Sequence, residues 1–254
     1  MRARSTRALR LDEAFERVAE MPFRNISLAE LARHIGMDAR EVRRMAERGQ
    51  IPGKLVAGEW RFNRAEMLDW LQREMHALTE AQRRSLEQAM SDGGEGLLIS
   101  GLIAPDGVDM NLPARSRASV IRELVRLAER TGLVWDAAEI LARLDEREKL
   151  CSTALPGGIA FPHPRRPLPY ATAEPLVCLA RVAAGVPYGA PDGRLTYIFV
   201  FVCAHDDRQH LQILARLSLM FSGDLADRLV HVEDRDEAMR IVTETERSFV
   251  EGGP

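Results

Sequence analysis

Cysteine is scarce in this chain: Cys151, Cys178 and Cys203 are the whole complement of 254 residues, an odd number without paired spacing. That excludes a disulfide framework and a thiolate metal cluster, and it points to reduced thiols in a cytoplasm, each read as a small buried hydrophobe. Long apolar runs are missing as well. The longest, Ile198 to Ala204, has the length of a buried strand and is far too short to span a bilayer, so no membrane insertion is expected. The amino terminus is polar and carries Arg2, Arg4, Arg7 and Arg10, which does not read as a secretory leader. No internal repeat is visible.

What is present suffices for two cored domains: 254 residues, 46% of them hydrophobic. Charge is divided unevenly between them. The first 78 residues hold 15 Lys+Arg and 12 Asp+Glu, a net of +3, which leaves 20 and 26 for the remainder, a net of −6. Only the amino-terminal part suits a polyanion, and its excess is modest.

The segment richest in chemistry runs from Arg147 through Glu148, Cys151, Ser152, Thr153, Gly157 and Gly158 to Ile159-Ala160-Phe161-Pro162-His163. It sets a histidine at the end of a short apolar run, 16 residues after an arginine, and a second histidine, His210, opens a helical pattern 47 residues later. A neutral imidazole is a nucleophile toward phosphorus near pH 7 and needs neither a metal nor a triad. It does need compensation for about two arriving negative charges, from a guanidinium, hydroxyls, backbone N–H groups or a second imidazole. Arg147, Ser152, Thr153, Gly157, Gly158 and His210 are the candidates, His210 gaining from a position near its helix start. A satisfied buried histidine is the alternative for His163. A metal site through His205 and His210, which His163 could join, lacks a cysteine or a convincing carboxylate as third ligand, so no metal and no cofactor are expected.

Residues 97 to 248 resemble the IIA domain of the bacterial phosphotransferase system, in the mannitol, fructose and nitrogen-regulatory class. The shared pattern is Arg-Glu, Ser-Thr, a glycine-rich loop, Ile-Ala-x-Pro-His, a Pro-Asp-Gly turn and a His-Leu-x-x-Leu-Ala helix, in that order. The resemblance implies a mixed sheet and a phosphoryl group accepted on His163 from a histidine phosphocarrier protein of the HPr type, assisted by Arg147 and His210. Pro164 replaces the family's glycine after the histidine and removes a backbone N–H, while Ala154 and Pro156 replace loop glycines.

In the amino-terminal part, Ser27 to Gly36 reads as a helix with a Ser27–Glu30 capping box and a glycine end. Asp38 caps a second helix, Ala39 to Arg48, which carries Arg40, Arg43 and Arg44. Lys54-Leu55-Val56 and Glu59-Trp60-Arg61-Phe62 are strands around Ala57-Gly58, and Asn63 caps a third helix to His76. This pattern resembles the excisionase-type, MerR-like winged helix-turn-helix. It implies that the second helix enters the major groove of double-stranded DNA through Arg40, Arg43 and Arg44, with Lys54 and Arg61 on the backbone. A solvated helix face or a protein-docking module is the alternative. Trp60, Phe62 and Trp70 read as core.

The expected organisation is a basic arm and short helix over 1–24, a winged helix-turn-helix over 25–78, a helical linker and flexible joint over 79–96, and the IIA-like domain over 97–248. The fold class is α/β, with helices covering a sheet. Strands are expected at Ile159–Phe161, Leu176–Arg181 and Leu195–Val202, and helices at Ala118–Arg130, Ala137–Glu146, His210–Phe221 and Arg235–Glu244. The expected function is that of a cytoplasmic DNA-binding regulator that reports phosphotransferase status through His163. One small reading head implies a homodimer on paired half-sites, with Thr79 to Met90 as the spare helix. The alternatives are a phosphocarrier component that passes its phosphoryl group to a IIB-type acceptor and docks a protein through its amino-terminal module, and a pure interaction module.

Overall fold

The structure, a computed structural model, describes residues 25–34, 38–67, 70, 84 and 97–251. The readings for residues 1–24, the Ile35-Gly36 turn, residues 71–76, the segment 79–90 other than Arg84 and the joint at 91–96 lie outside the described residues. The chain divides into two units, Met1–Glu95 and Gly96–Pro254.

In the first unit a two-residue strand β1 (Ile26–Ser27) leads directly into α1 (Leu28–His34). The turn of direction is held by a reciprocal cap. Glu30 N donates to Ser27 Oγ (3.3 Å), while Ser27 N donates to Glu30 Oε2 (2.8 Å), so two otherwise orphaned donors are satisfied at once. Asp38 caps α2 (Ala39–Glu47) by accepting from Arg40 N (2.8 Å). β2 (Lys54–Val56) and β3 (Glu59–Phe62) form a hairpin whose two turn residues, Ala57 and Gly58, both have positive φ (51° and 80°), the geometry that follows strand twist. β1 adds to the other edge of β3, giving the antiparallel order β1-β3-β2. Asn63 Oδ1 accepts from Ala65 N (2.9 Å), and residues 64–67 and 70 are helical. Ile26, Leu31, Val42 and Phe62 are fully buried, whereas Trp60 and Trp70 are only half-buried. Trp60 stacks on Phe62 at 6.3 Å, and a Cβ on Gly53 would sit 2.8 Å from the Phe62 ring, so glycine is what admits the pair.

The second unit is a mixed five-stranded sheet in the order β4-β7-β8-β6-β5. Its strands are β4 (Ile103–Asp109), β5 (Ala154–Leu155), β6 (Ile159–Ala160), β7 (Leu176–Val186) and β8 (Thr196–Cys203). β4 runs parallel to β7 and β6 parallel to β8, while β7–β8 and β5–β6 are antiparallel. The helices are α3 (Ile99–Leu102), α4 (Arg117–Arg130), α5 (Ala137–Leu150), α6 (Asp207–Met220), α7 (Leu225–Leu229) and α8 (Arg235–Glu251). Cys178 and Ala180 of β7 and Phe199 and Phe201 of β8 share one core cluster with Leu124 of α4 and Ile140 of α5. Val177, Leu179, Val200 and Val202, the alternate residues, are buried too, and α6 packs on β8, so the sheet is covered on both faces.

Three differences from the sequence reading have plain causes. β4, where no strand is expected, contains Pro105 and Gly107, but it is an edge strand with a register shift between Ile103 and Val108, where both residues are tolerated. α5 continues four residues past Glu146 to Leu150, so Arg147 and Glu148 lie on its last turn. α6 begins at Asp207, because Asp206 caps it by accepting from Gln209 N (2.8 Å).

Candidate functional site

β6 is clamped between β5 and β8, and its extended run continues: Phe161 N donates to Thr153 O (3.1 Å) and Val202 N donates to Pro162 O (3.0 Å). His163 therefore emerges from the carboxyl end of an anchored strand, buried at 5% exposure. Its Nδ1–H donates to Phe161 O at 2.6 Å. A carbonyl can only accept, so this bond places the proton on Nδ1 and the lone pair of the neutral ring on Nε2.

His210 faces it from α6, with ring centroids 5.0 Å apart and planes at 67°. Its own N–H donates to Asp206 O (3.0 Å), so it follows the helix's open amides rather than being one of them. The side chain is 2% exposed, and neither ring nitrogen has a hydrogen-bond partner among the described residues. Burial, and then the positive charge of Arg147, push its imidazole down to about 4, so the ring is neutral at physiological pH. Arg147, itself buried at 4% exposure, donates through Nη1 to Cys151 O (2.9 Å) and Cys151 Sγ (3.1 Å). A buried polar group left unpaired costs about 1–3 kcal/mol, and the His210 ring nitrogens are such groups among the described residues.

The expected phosphate-binding loop is otherwise engaged. Ser152 Oγ donates to Tyr188 O (2.7 Å), and Thr153 Oγ1 donates to the Glu148 carboxylate. Gly157 N donates to Asp192 Oδ2 (3.1 Å), in the Pro-Asp-Gly turn, where this bond and that from Arg194 N hold the Asp192 carboxyl below its ordinary range. Gly158 has φ 78° and gives its carbonyl to Tyr197 N (2.8 Å). The structure thus brings Arg147, His163 and His210 together and turns the loop donors toward protein partners. His205 stays apart from the pair, its Nε2 meeting Thr172 Oγ1 at 3.0 Å.

Sequence reasoning passed over Glu148, Tyr188 and Arg117. Glu148 is 3% exposed, and burial raises its carboxyl above the ordinary range. Arg117 donates to Tyr188 O (2.6 Å) and lies 5.5 Å from the Tyr188 ring centroid. The Arg-Glu pair of the motif was the signal available for Glu148, whereas Tyr188 and Arg117 are remote in sequence.

On the first unit, Arg40, Arg43 and Arg44 are exposed on α2 with no ion-pair partner among the described residues. The two hairpin cations are paired: Lys54 Nζ with Glu66 Oε1 (2.5 Å) and Arg61 Nη2 with Glu59 Oε2 (2.7 Å).

A mixed sheet that ends in two facing imidazoles beside a helix-terminal arginine defines a phosphotransferase IIA-type unit, here preceded by a helix-turn-helix unit. The chain belongs to the family described as phosphoenolpyruvate-dependent sugar phosphotransferase system, EIIA 2, whose model matches residues 102–245. A helix-turn-helix domain model matches residues 26–75. The chain is similar to a nitrogen regulatory protein of Pseudomonas aeruginosa, 28% identical over 151 residues, which are 58% of this chain and 96% of that protein. It is also similar to the fructose-specific EIIABC component of Bacillus subtilis, 24% identical over 152 residues, 59% of this chain. The match spans only 24% of that longer protein. Among solved structures, the nitrogen regulatory protein IIA-Ntr of Neisseria meningitidis shares the fold at TM-score 0.52 and 24% identity, covering 57% of this chain and 98% of that one. No helix among the described residues is long and apolar enough to cross a membrane.

Proposed function

We propose that this protein is a DNA-binding regulator whose IIA-type unit accepts a phosphoryl group on His163 Nε2 and so reports the state of a phosphotransferase system. The observation that supports it most is the His163–His210 pair: one imidazole with its proton fixed on Nδ1 by Phe161 O, faced at 5.0 Å by a neutral, buried imidazole without a partner among the described residues. The Nε2 lone pair attacks phosphorus, the P–N bond to the carrier's phosphohistidine breaks, and its electron pair returns to the carrier nitrogen. His210 and Arg147 then meet the roughly two negative charges that arrive. Arg40, Arg43 and Arg44 on α2 carry the DNA contact, as a homodimer on paired half-sites.

The test is incubation with phosphoenolpyruvate, enzyme I and a histidine phosphocarrier, followed by intact mass. Addition of one phosphoryl group is the expected result, and an unchanged mass sinks the reading. The paired state of Lys54 and Arg61 favours a second reading, in which the amino-terminal unit docks a protein and His163 passes its phosphoryl group to a IIB-type acceptor. Selection from genomic fragments separates the two: enrichment of one sequence supports the regulator, and none supports the carrier.

A further inference from the structure

A buried carboxylate normally needs a reason, because taking it out of water costs several kcal/mol unless its partners are good. Glu148 sits on the last turn of α5 beside Arg147, with its Oε2 unpartnered among the described residues. Its other oxygen accepts two bonds from one residue five positions on, Thr153 N at 3.1 Å and Thr153 Oγ1. Thr153 in turn offers its carbonyl to Phe161 N (3.1 Å), across from the end of β6. Phe161 offers its carbonyl to His163 Nδ1 (2.6 Å).

The three links form one path from Glu148 through Thr153 and Phe161 to His163. The helix end supplies no glycine cap of its own, since Cys151 leaves α5 directly in extended geometry (φ −165°, ψ 152°). Position at this joint therefore comes from side chains. Arg147 holds Cys151 O, Ser152 holds Tyr188 O and Glu148 holds Thr153, so each of three consecutive residues is tied down. The Arg117 and Arg147 charges offset part of the cost of burying Glu148.

We propose that Glu148 is a positioning residue for His163: by gripping Thr153 with its buried carboxylate it places the Phe161 carbonyl that holds the His163 proton on Nδ1, and so aims Nε2 at the incoming phosphorus. This rests on the reading of His163 as phosphoryl acceptor. Glu148 touches neither the phosphoryl group nor the imidazole, and its effect is carried by backbone placement alone.

The test uses the full chain with 15N-labelled histidine rings. In wild type, the His163 ring shifts show the Nδ1–H form. In Glu148→Ala, and in Thr153→Val, which keeps the branched shape and loses the hydroxyl, the Nδ1–H fraction falls. The maximal labelling rate from a phosphorylated histidine carrier drops roughly ten- to a hundredfold, with the carrier's KM nearly unchanged. Thr153→Ser, which retains the hydroxyl, restores both. Wild-type ring shifts in folded Glu148→Ala or Thr153→Val, or a Thr153→Ser protein as impaired as Thr153→Val, overturn the proposal. The ring measurement needs no phosphoryl donor. A wild-type protein that takes no phosphoryl group thus defeats the acceptor reading, while the tautomer still decides the role of Glu148.

Discussion

Acidification should destabilise the IIA-type unit through His210. The ring is 2% exposed, and burial together with Arg147 pushes its imidazole down to about 4. The unfolded chain has an ordinary imidazole near 6.5, so between these values it binds a proton that the folded chain refuses. The stability contributed by neutral His210 is therefore fully present above about pH 6.5 and is lost as pH falls toward about 4. At ~1.4 kcal/mol per pH unit the full effect is ~3 kcal/mol, of which about 2 kcal/mol is gone near pH 5. Glu148 works in the opposite direction, since its raised carboxyl takes up a proton more readily when folded, which relieves the cost of burying it. The comparison that isolates His210 is thus wild type against His210→Gln, which cannot titrate. Native-state amide exchange at Val200 and Val202 of β8, corrected for intrinsic rates, reads the opening free energy of this unit apart from the other. Between pH ~7.5 and pH ~5, wild type should lose about 2 kcal/mol more than His210→Gln. Equal losses in the two proteins would refute the claim that His210 is held neutral by burial.

His163→Ala should abolish labelling, and an acid-labile, base-stable phosphate persisting on that variant would remove His163 as the acceptor. Arg147→Ala and His210→Ala should slow labelling by roughly a hundredfold without ending it, as expected for groups that stabilise charge; rates equal to wild type would place them outside the chemistry. Pro164→Gly restores a backbone N–H next to His163 and should speed labelling several-fold, about 1 kcal/mol, in a single-turnover assay; an unchanged rate would show that this amide has no part in the step. Arg43→Ala with Arg44→Ala should weaken duplex retention by at least about tenfold and lower the salt slope by about two, whereas Lys54→Ala, already paired with Glu66, should change it less than about twofold. Filter binding across a salt series reads all three proteins, and a double variant that binds like wild type would end the α2 assignment.

Much of the fold is legible because local chemistry and tertiary context agree. The Ser27–Glu30 cap, the Asp38 cap and the Ala57-Gly58 turn follow from residue types whose preferences act over two to four positions, and all three occur. β7 and β8 stand out as continuous apolar runs because both faces of the sheet are covered. β4 is hidden for the converse reason. Ile103–Asp109 carries Pro105, Asp106 and Gly107, and only its edge position beside β7 makes a strand of it. β1 and β5 are two residues each, too short for any period to register, and they exist by pairing with β3 and β6. The overrun of α5 has a similar origin, since Arg147 and Glu148 carry no helix signal beyond their propensity and are kept helical by what they hold on the far side.

The site divides along the same line. A motif in one dimension finds groups of an uncommon chemical type, and His163, His210 and Arg147 do come together in space. It says less about groups whose type is common and whose partners are distant. Ser152, Thr153 and Gly157 read as phosphate donors because hydroxyls and loop amides so often are, yet their hydrogens go to Tyr188 O, Glu148 and Asp192, three acceptors brought up by the fold. The same acceptors explain why the loop tolerates Ala154 and Pro156 in place of glycine: a loop that wraps an anion needs free amides and mobile backbone, whereas this one is tied to the protein on both sides of His163. On the proposed function the phosphoryl group falls to Arg147 and the two imidazoles, and rigidity becomes an asset. A nucleophile aimed by a chain of hydrogen bonds loses little entropy on reaching the transition state, which is where a strand-anchored histidine gains over one on a free loop.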